Sequence, residues 1–113
     1  MKKPKEGDVV KACLGYARMV GVFAWRNTTG RMPWTDKTGN RRSFAFGSKG
    51  SPDIIGIMGP DTGEAGRFLA VECKVPGGKQ SPDQIAWQAA CEAHGGLYIL
   101  ATSLDELIEG LRA

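Results

Sequence analysis

The chain has 113 residues, 24% of them charged and 42% hydrophobic, with a net charge of +3 and a pI near 8.9. That suffices for one domain, residues 1–113, with a single modest core; the mild positive charge is compatible with a polyanionic partner without demanding one. Three cysteines far apart in sequence, Cys13, Cys73 and Cys91, exclude a disulfide framework or zinc knuckle, and no apolar run is long enough to cross a bilayer.

From Asp8 to Val20 the apolar residues Val9, Val10, Cys13, Leu14, Ala17 and Val20 recur at helical spacing, and Gly21 suits the C′ position that ends a helix. Val22-Phe23-Ala24-Trp25-Arg26 reads as a strand. Asn27 to Lys49 has no clear periodicity and is expected to be a long functional or mobile loop. It sets Arg31, Lys37, Arg41, Arg42 and Lys49 against one acid, Asp36, and interleaves Trp34, Phe44 and Phe46. Such a mixture can grip phosphates and stack on unpaired bases. Its alternative is a solvated insertion anchored by its aromatics, with Phe44-Ala45-Phe46 as a short extra strand.

Ile54-Ile55-Gly56-Ile57-Met58 and the run from Phe68 to Val75 read as a hairpin turned by Gly59–Gly66. Ser81-Pro82-Asp83-Gln84 starts a helix, with Ser81 as N-cap, Pro82 at N1 and Gln84 closing a capping box; it should run to about His94 and stop at Gly95-Gly96. Within it, Trp87 is a core residue and His94 a partner of the helix C-terminal dipole. Leu97–Ala101 is a further strand. Ser103 and Glu106 then cap a last helix with Leu104, Leu107, Ile108 and Leu111 on one face. The order is α-β-β-β-α-β-α, an α/β fold whose three cysteines serve as small buried apolar residues.

Two segments carry chemistry. Ser51-Pro52-Asp53-Ile54-Ile55 puts an acid at the start of one strand, and Ala70-Val71-Glu72-Cys73-Lys74-Val75 puts an acid and an amine on its neighbour. Alternation along a strand projects Glu72 and Lys74 from one face about 6.7 Å apart, with Val71, Cys73 and Val75 on the other. Asp53 lies within reach of Glu72. Hard oxygen ligands suit Mg²⁺ or Mn²⁺, and a cation held there would acidify a water and neutralise charge on a phosphate. Lys74 would orient or deprotonate that water, or stabilise the transition state. The alternative is a solvated Glu/Lys pair on a strand. Lys79, in the Gly-rich turn that follows, is a phosphate-contact candidate.

These segments, together with Val75-Pro76-Gly77-Gly78-Lys79-Gln80-Ser81-Pro82-Asp83-Gln84, resemble the VRR-NUC family of the PD-(D/E)XK nuclease superfamily over roughly residues 8–101. The resemblance implies a restriction-endonuclease-like core of order αβββαβ, with a mixed central sheet flanked by helices, followed here by a C-terminal helix. It implies a Mg²⁺- or Mn²⁺-dependent DNA endonuclease leaving 5′-phosphate and 3′-hydroxyl ends, with Asp53, Glu72 and Lys74 at its centre. The Cys73 carbonyl and an acid from the first helix would complete the metal site; alignment on Gly21 favours Asp8, with Glu6 as the fallback, and either acid could instead serve the helix start. Gln84 takes the family's place beside the lysine or the DNA, its alternative being the capping box itself.

DNA contacts are expected from Arg26, Arg31, Arg41, Arg42, Lys49 and Lys79. Small stand-alone members of the family occur in bacteriophage and bacterial genomes and resemble Holliday-junction resolvases. That implies a homodimer acting on branched DNA in the cytoplasm of a bacterial or phage-infected cell. The alternatives are a nonspecific or replication- or repair-linked nuclease, a catalytically silent DNA-binding module, and an assembly factor using its basic loop.

Overall fold

The structure, a computed structural model, describes residues 4–112. The start of the basic N-terminal stretch, Met1 to Lys3, and the side chains of Phe44 and Phe46 lie outside the described residues. Helix α1 (Glu6–Met19) leads into β1 (Phe23–Arg26), followed by β2 (Gly30–Thr35), β3 (Arg41–Phe46), β4 (Ile54–Ile57), β5 (Phe68–Cys73), α2 (Pro82–Ala93), β6 (Leu97–Ala101) and α3 (Leu104–Arg112). Helix α1 ends in a Schellman motif: Val22 N–H donates to the Ala17 carbonyl and Gly21 N–H to that of Arg18, with Gly21 in the left-handed region at φ +99°.

Four strands form one mixed sheet in the order β1-β4-β5-β6. β4 is antiparallel to both neighbours, and β5 is parallel to β6. One face carries Ala24, Ile54, Leu69, Val71, Cys73, Ile99 and Ala101, buried against Val9, Val10, Cys13 and Ala17 of α1 and Leu107 of α3. Cys13 and Cys73 are fully buried and unbridged, as small apolar residues would be. On the opposite face α2 packs over β6, where Trp87 sits between Phe68 and Tyr98 at ring separations of 6.3 and 6.1 Å. Over the β1–β4 half of that face Phe23 and Trp25 lie 5.3 Å apart, their rings tilted by 55°, in the open.

Residues 27–49 depart from the expected loop. β2 and β3 form a separate antiparallel two-stranded arm, registered from Gly30↔Phe46 to Thr35↔Arg41. Every described strand residue in it is exposed, so there is no buried face to write an alternating pattern into the sequence. Its tip is held by polar bonds instead. Asp36 Oδ1 accepts from Thr38 N–H, Thr38 Oγ1 and Asn40 N–H, and Oδ2 from Arg42 Nε at 2.6 Å. Those donors, Thr38 and then Arg42 foremost, pull the Asp36 carboxyl down to about 2. The projecting arm is consistent with a radius of gyration of 16.1 Å, where a compact chain of this length has about 13 Å. The second strand of the main hairpin also ends earlier than expected, at Cys73, because Val75-Pro76-Gly77-Gly78 turns away.

Candidate active site

Asp53 stands just before β4, where Asn27 fixes the backbone. Asn27 N–H donates to the Asp53 carbonyl at 2.8 Å, and its Nδ2 donates to Ser51 Oγ at 2.8 Å and the Pro52 carbonyl at 3.0 Å. Pro52 is fully buried, which anchors the turn. The Asp53 side chain reaches across to β5, accepting from Cys73 N–H at 2.9 Å. Glu72, one residue back on β5, is 2% exposed.

A third carboxylate arrives from the start of α1. One oxygen each from Glu6, Asp53 and Glu72 lies within 4.8 Å of the other two. Here the structure corrects the choice between the two helix-1 acids. Asp8 is not in this group; its Oδ2 accepts from Lys5 N–H at 3.1 Å, across the first turn of its own helix. The helix begins two residues earlier than its apolar pattern suggests, which makes Asp8 the capping acid and leaves Glu6 free for the cluster.

The cluster is only partly satisfied from within, the Asp53 carboxyl lying within hydrogen-bonding reach of Glu72. Glu72 Oε2 is buried and has no hydrogen-bond partner among the described residues. Burial, then the Asp53 carboxyl and more weakly Glu6, push the Glu72 carboxyl up to about 8, against the pull of the Lys74 ammonium. A buried carboxylate oxygen without a donor, facing two more carboxylates, is a place where a cation would fit. All the convergent donors are oxygens, which fits a hard divalent ion.

Lys74 follows at the end of β5, its N–H continuing the parallel ladder to the Ala101 carbonyl at 3.0 Å. Pro76 and Gly77, with φ +87° at Gly77 and Gly78 N–H donating to the Val75 carbonyl at 2.9 Å, form a type II turn. That turn brings Gly78 so close that an added Cβ would sit 3.2 Å from Lys74 Cβ, so it backs the lysine stem. Gln84 completes the expected capping box: its Oε1 accepts from Ser81 N–H at 2.8 Å, and its own N–H donates to Ser81 Oγ at 3.2 Å. His94 Nδ1 lies 2.7 Å from the Ala90 carbonyl at the end of α2, away from the acids.

The basic candidates separate by place. Arg26, paired in register with Ile54, lines a cleft of about 460 Å³ with Asp53. Arg31 and Lys49 line a second cleft of about 310 Å³ at the base of the arm. Arg41 is at the far end of the arm, Arg42 is tied to Asp36 at 2.6 Å, and Lys79 is exposed in the loop before α2.

Two site-building residues were not legible in the sequence. Asn27 carries no periodic signal, since it follows a strand end in a polar stretch. Gly50, at φ +80°, lies against the first turn of α2, where a Cβ would come 2.3 Å from the Asp83 carbonyl oxygen. Only glycine fits that contact. Trp87 Nε1, donating to Ser48 Oγ at 3.2 Å, joins the same junction, so α2 and the Asp53 turn pack together; the exposed Lys49–Asp83 pair at 3.4 Å adds little.

A mixed sheet of order β1-β4-β5-β6 between helices, with an Asp at one strand start and a Glu-x-Lys on the next strand, defines the PD-(D/E)XK class of nuclease. The VRR-NUC domain family matches residues 36–105, so the chain belongs to the VRR-NUC family. A solved structure described as a VRR_NUC domain is similar in fold, with 18% identity over 95% of this chain and 94% of that one and a TM-score of 0.62. A search of curated proteins gives no match. The protein is thus a nuclease domain with DNA as its substrate, and none of its described helices is long and apolar enough to cross a membrane.

Proposed function

We propose that the chain is a Mg²⁺- or Mn²⁺-dependent DNA endonuclease whose preferred substrate is branched, a four-way junction first among them. The observation that carries the metal-dependent part of this reading is the orphaned oxygen of buried Glu72 among convergent carboxylates from three separate elements, with Lys74 beside it; the branched substrate rests on the family resemblance. Glu6, Asp53 and Glu72, with the Cys73 carbonyl, would hold the ion, which when bound neutralises charge on the phosphate and acidifies a water.

The chain's own groups do the rest. Cys73 N–H and Asn27 hold Asp53 in place, while Lys74 Nζ orients the attacking water and stabilises the extra negative charge on the phosphorus centre. Gln84, positioned by its capping box at the start of α2, acts beside the lysine or on the DNA backbone. By family resemblance the products carry 5′-phosphate and 3′-hydroxyl ends. Arg26, Arg31, Arg41, Lys49 and Lys79 supply phosphate contacts; Arg42 braces the arm tip through Asp36.

Symmetric nicking of a four-way junction needs two active sites, so the working form is a homodimer. The open Phe23, Trp25 and Ile57 face of the sheet favours a second copy there, since these side chains are 70%, 39% and 40% exposed. The setting by resemblance is the cytoplasm of a bacterial or phage-infected cell.

The test is cleavage of matched linear, nicked, flapped and four-way DNAs by the wild type and Lys74→Ala, with Mg²⁺, Mn²⁺ or EDTA. Metal-dependent cutting that vanishes in the variant is expected, with paired symmetric incisions on the four-way DNA. Equal cutting of all four would make it a nonspecific or repair-linked nuclease. Binding without cutting under either metal would make it a silent DNA-binding module.

A further inference from the structure

The two clefts that hold the basic residues adjoin each other. The cleft ending at Asp53 and the cleft at the arm base share Thr29 as a wall. Between them the two clefts are lined by Arg26, Thr29, Arg31 and Lys49, and among the described residues Asp53 is their one acidic lining residue, with Asp83 paired to Lys49 alongside. The second cleft is also lined by Gly30, Gly47 and Gly50. At Gly47 an added Cβ would come 2.7 Å from Thr29 Cγ2, so a side chain there would crowd the shared wall.

We infer that these clefts form one track for the cleaved strand, running from the scissile phosphate to the arm base on one side of the cut only. The inference rests on the nuclease reading and deepens it by dividing the basic residues. Arg26 takes the phosphate next to the cut, and Arg31 and Lys49 take those beyond. The present partner of Lys49, Asp83, is no obstacle, because both side chains are largely exposed and such pairs are weak. A positive groove of this kind follows a backbone without reading sequence. The consequence is a one-sided substrate requirement: the strand must continue past the cut along the track, and can end almost at once in the other direction.

The experiment measures binding with Ca²⁺ in place of Mg²⁺, and cleavage with Mg²⁺, for the wild type, the pair Arg31→Ala with Lys49→Ala, and a charge-matched control pair, Lys11→Ala with Arg112→Ala, on the helices of the opposite face. Substrates are trimmed to one nucleotide from the cut on one side, then on the other. The track pair is expected to bind about tenfold more weakly, with a salt dependence shallower by roughly 1.4 to 1.8 in log–log slope, and the control pair to change little. Trimming on one side should slow the wild type at least tenfold and the track pair much less; trimming on the other side should slow neither. Equal losses in the two pairs, or equal sensitivity to trimming on both sides, would overturn the track while leaving the nuclease reading intact. A wild type that binds but cuts no DNA removes that reading, and the inference with it.

Discussion

The sheet body and the β2–β3 arm are both antiparallel hairpin structures in part, yet they are specified by opposite means. In β5 five consecutive residues, Leu69 to Cys73, are buried, whereas every described strand residue of the arm is exposed. The body is set by apolar burial, and its polar exception, Glu72, marks the chemistry. The arm is set by turn chemistry around Asp36 and by ladder bonds, so its surface is free to be chosen for a partner. A change in the body should therefore alter catalysis or stability sharply, and a change in the arm should alter affinity and little else.

The largest effect tests the body's polar centre. Glu72→Gln or Lys74→Ala should lower the cleavage rate by on the order of 10³-fold in single-turnover assays, while Arg31→Ala should cost about tenfold or less. Comparable losses from the two regions would erase the contrast. Next comes pH. The Glu72 carboxyl, near 4.5 ordinarily, is raised to about 8 in the fold, so in that interval the folded state binds more protons than the unfolded. Its stabilising contribution is complete below the ordinary value and is lost as pH rises through about 8. Protein stripped with EDTA should lose at most about 5 kcal/mol of stability from this group between those limits. Denaturant titrations should show the slope flattened in Glu72→Gln, and thermal melts should show Mg²⁺ raising the melting point most at the alkaline end.

A smaller effect probes the junction between the regions. Gly50→Ala places a Cβ 2.3 Å from the Asp83 carbonyl oxygen at an unfavourable φ of +80°, and should cost roughly 2 kcal/mol in urea unfolding. The smallest concerns the arm's own apolar residues. Met32→Ser and Trp34→Ser, at positions 52% and 48% exposed, should leave stability within about 0.5 kcal/mol. A loss several times larger would mean the arm packs on something in solution.

What could be read from the sequence follows the same division. Helix α1, the β4–β5 hairpin, β6 and α3 were legible because each presents a buried face, and burial writes a period of 3.6 or 2 into the residues, whereas α2, with no buried residue, is legible from its capping box and the glycines that follow it. Asp53, Glu72 and Lys74 were legible because charge interrupts such a pattern. The arm was not, since a ribbon wet on both faces has no period to detect. The choice between Glu6 and Asp8 depended on where α1 begins. The N-cap is Lys5, a residue type that does not announce a helix start, so the apolar pattern puts the boundary two residues late and points to Asp8, the capping acid, in place of Glu6. Asn27 and Gly50 act through backbone contacts between segments distant in sequence, and local pattern carries no trace of those.

The two ends of the arm segment are joined to each other, Asn27 Nδ2 to Ser51 Oγ at 2.8 Å, directly beside the Asp53 turn. The excursion between them therefore leaves and rejoins the sheet at one place, with Ser48 and Lys49 also touching α2. It is in effect a cassette: its length and surface could change by insertion, deletion or grafting without shifting the pairing of β1 with β4. A domain built this way can change that excursion while the Asp53 turn and the sheet behind it stay as they are.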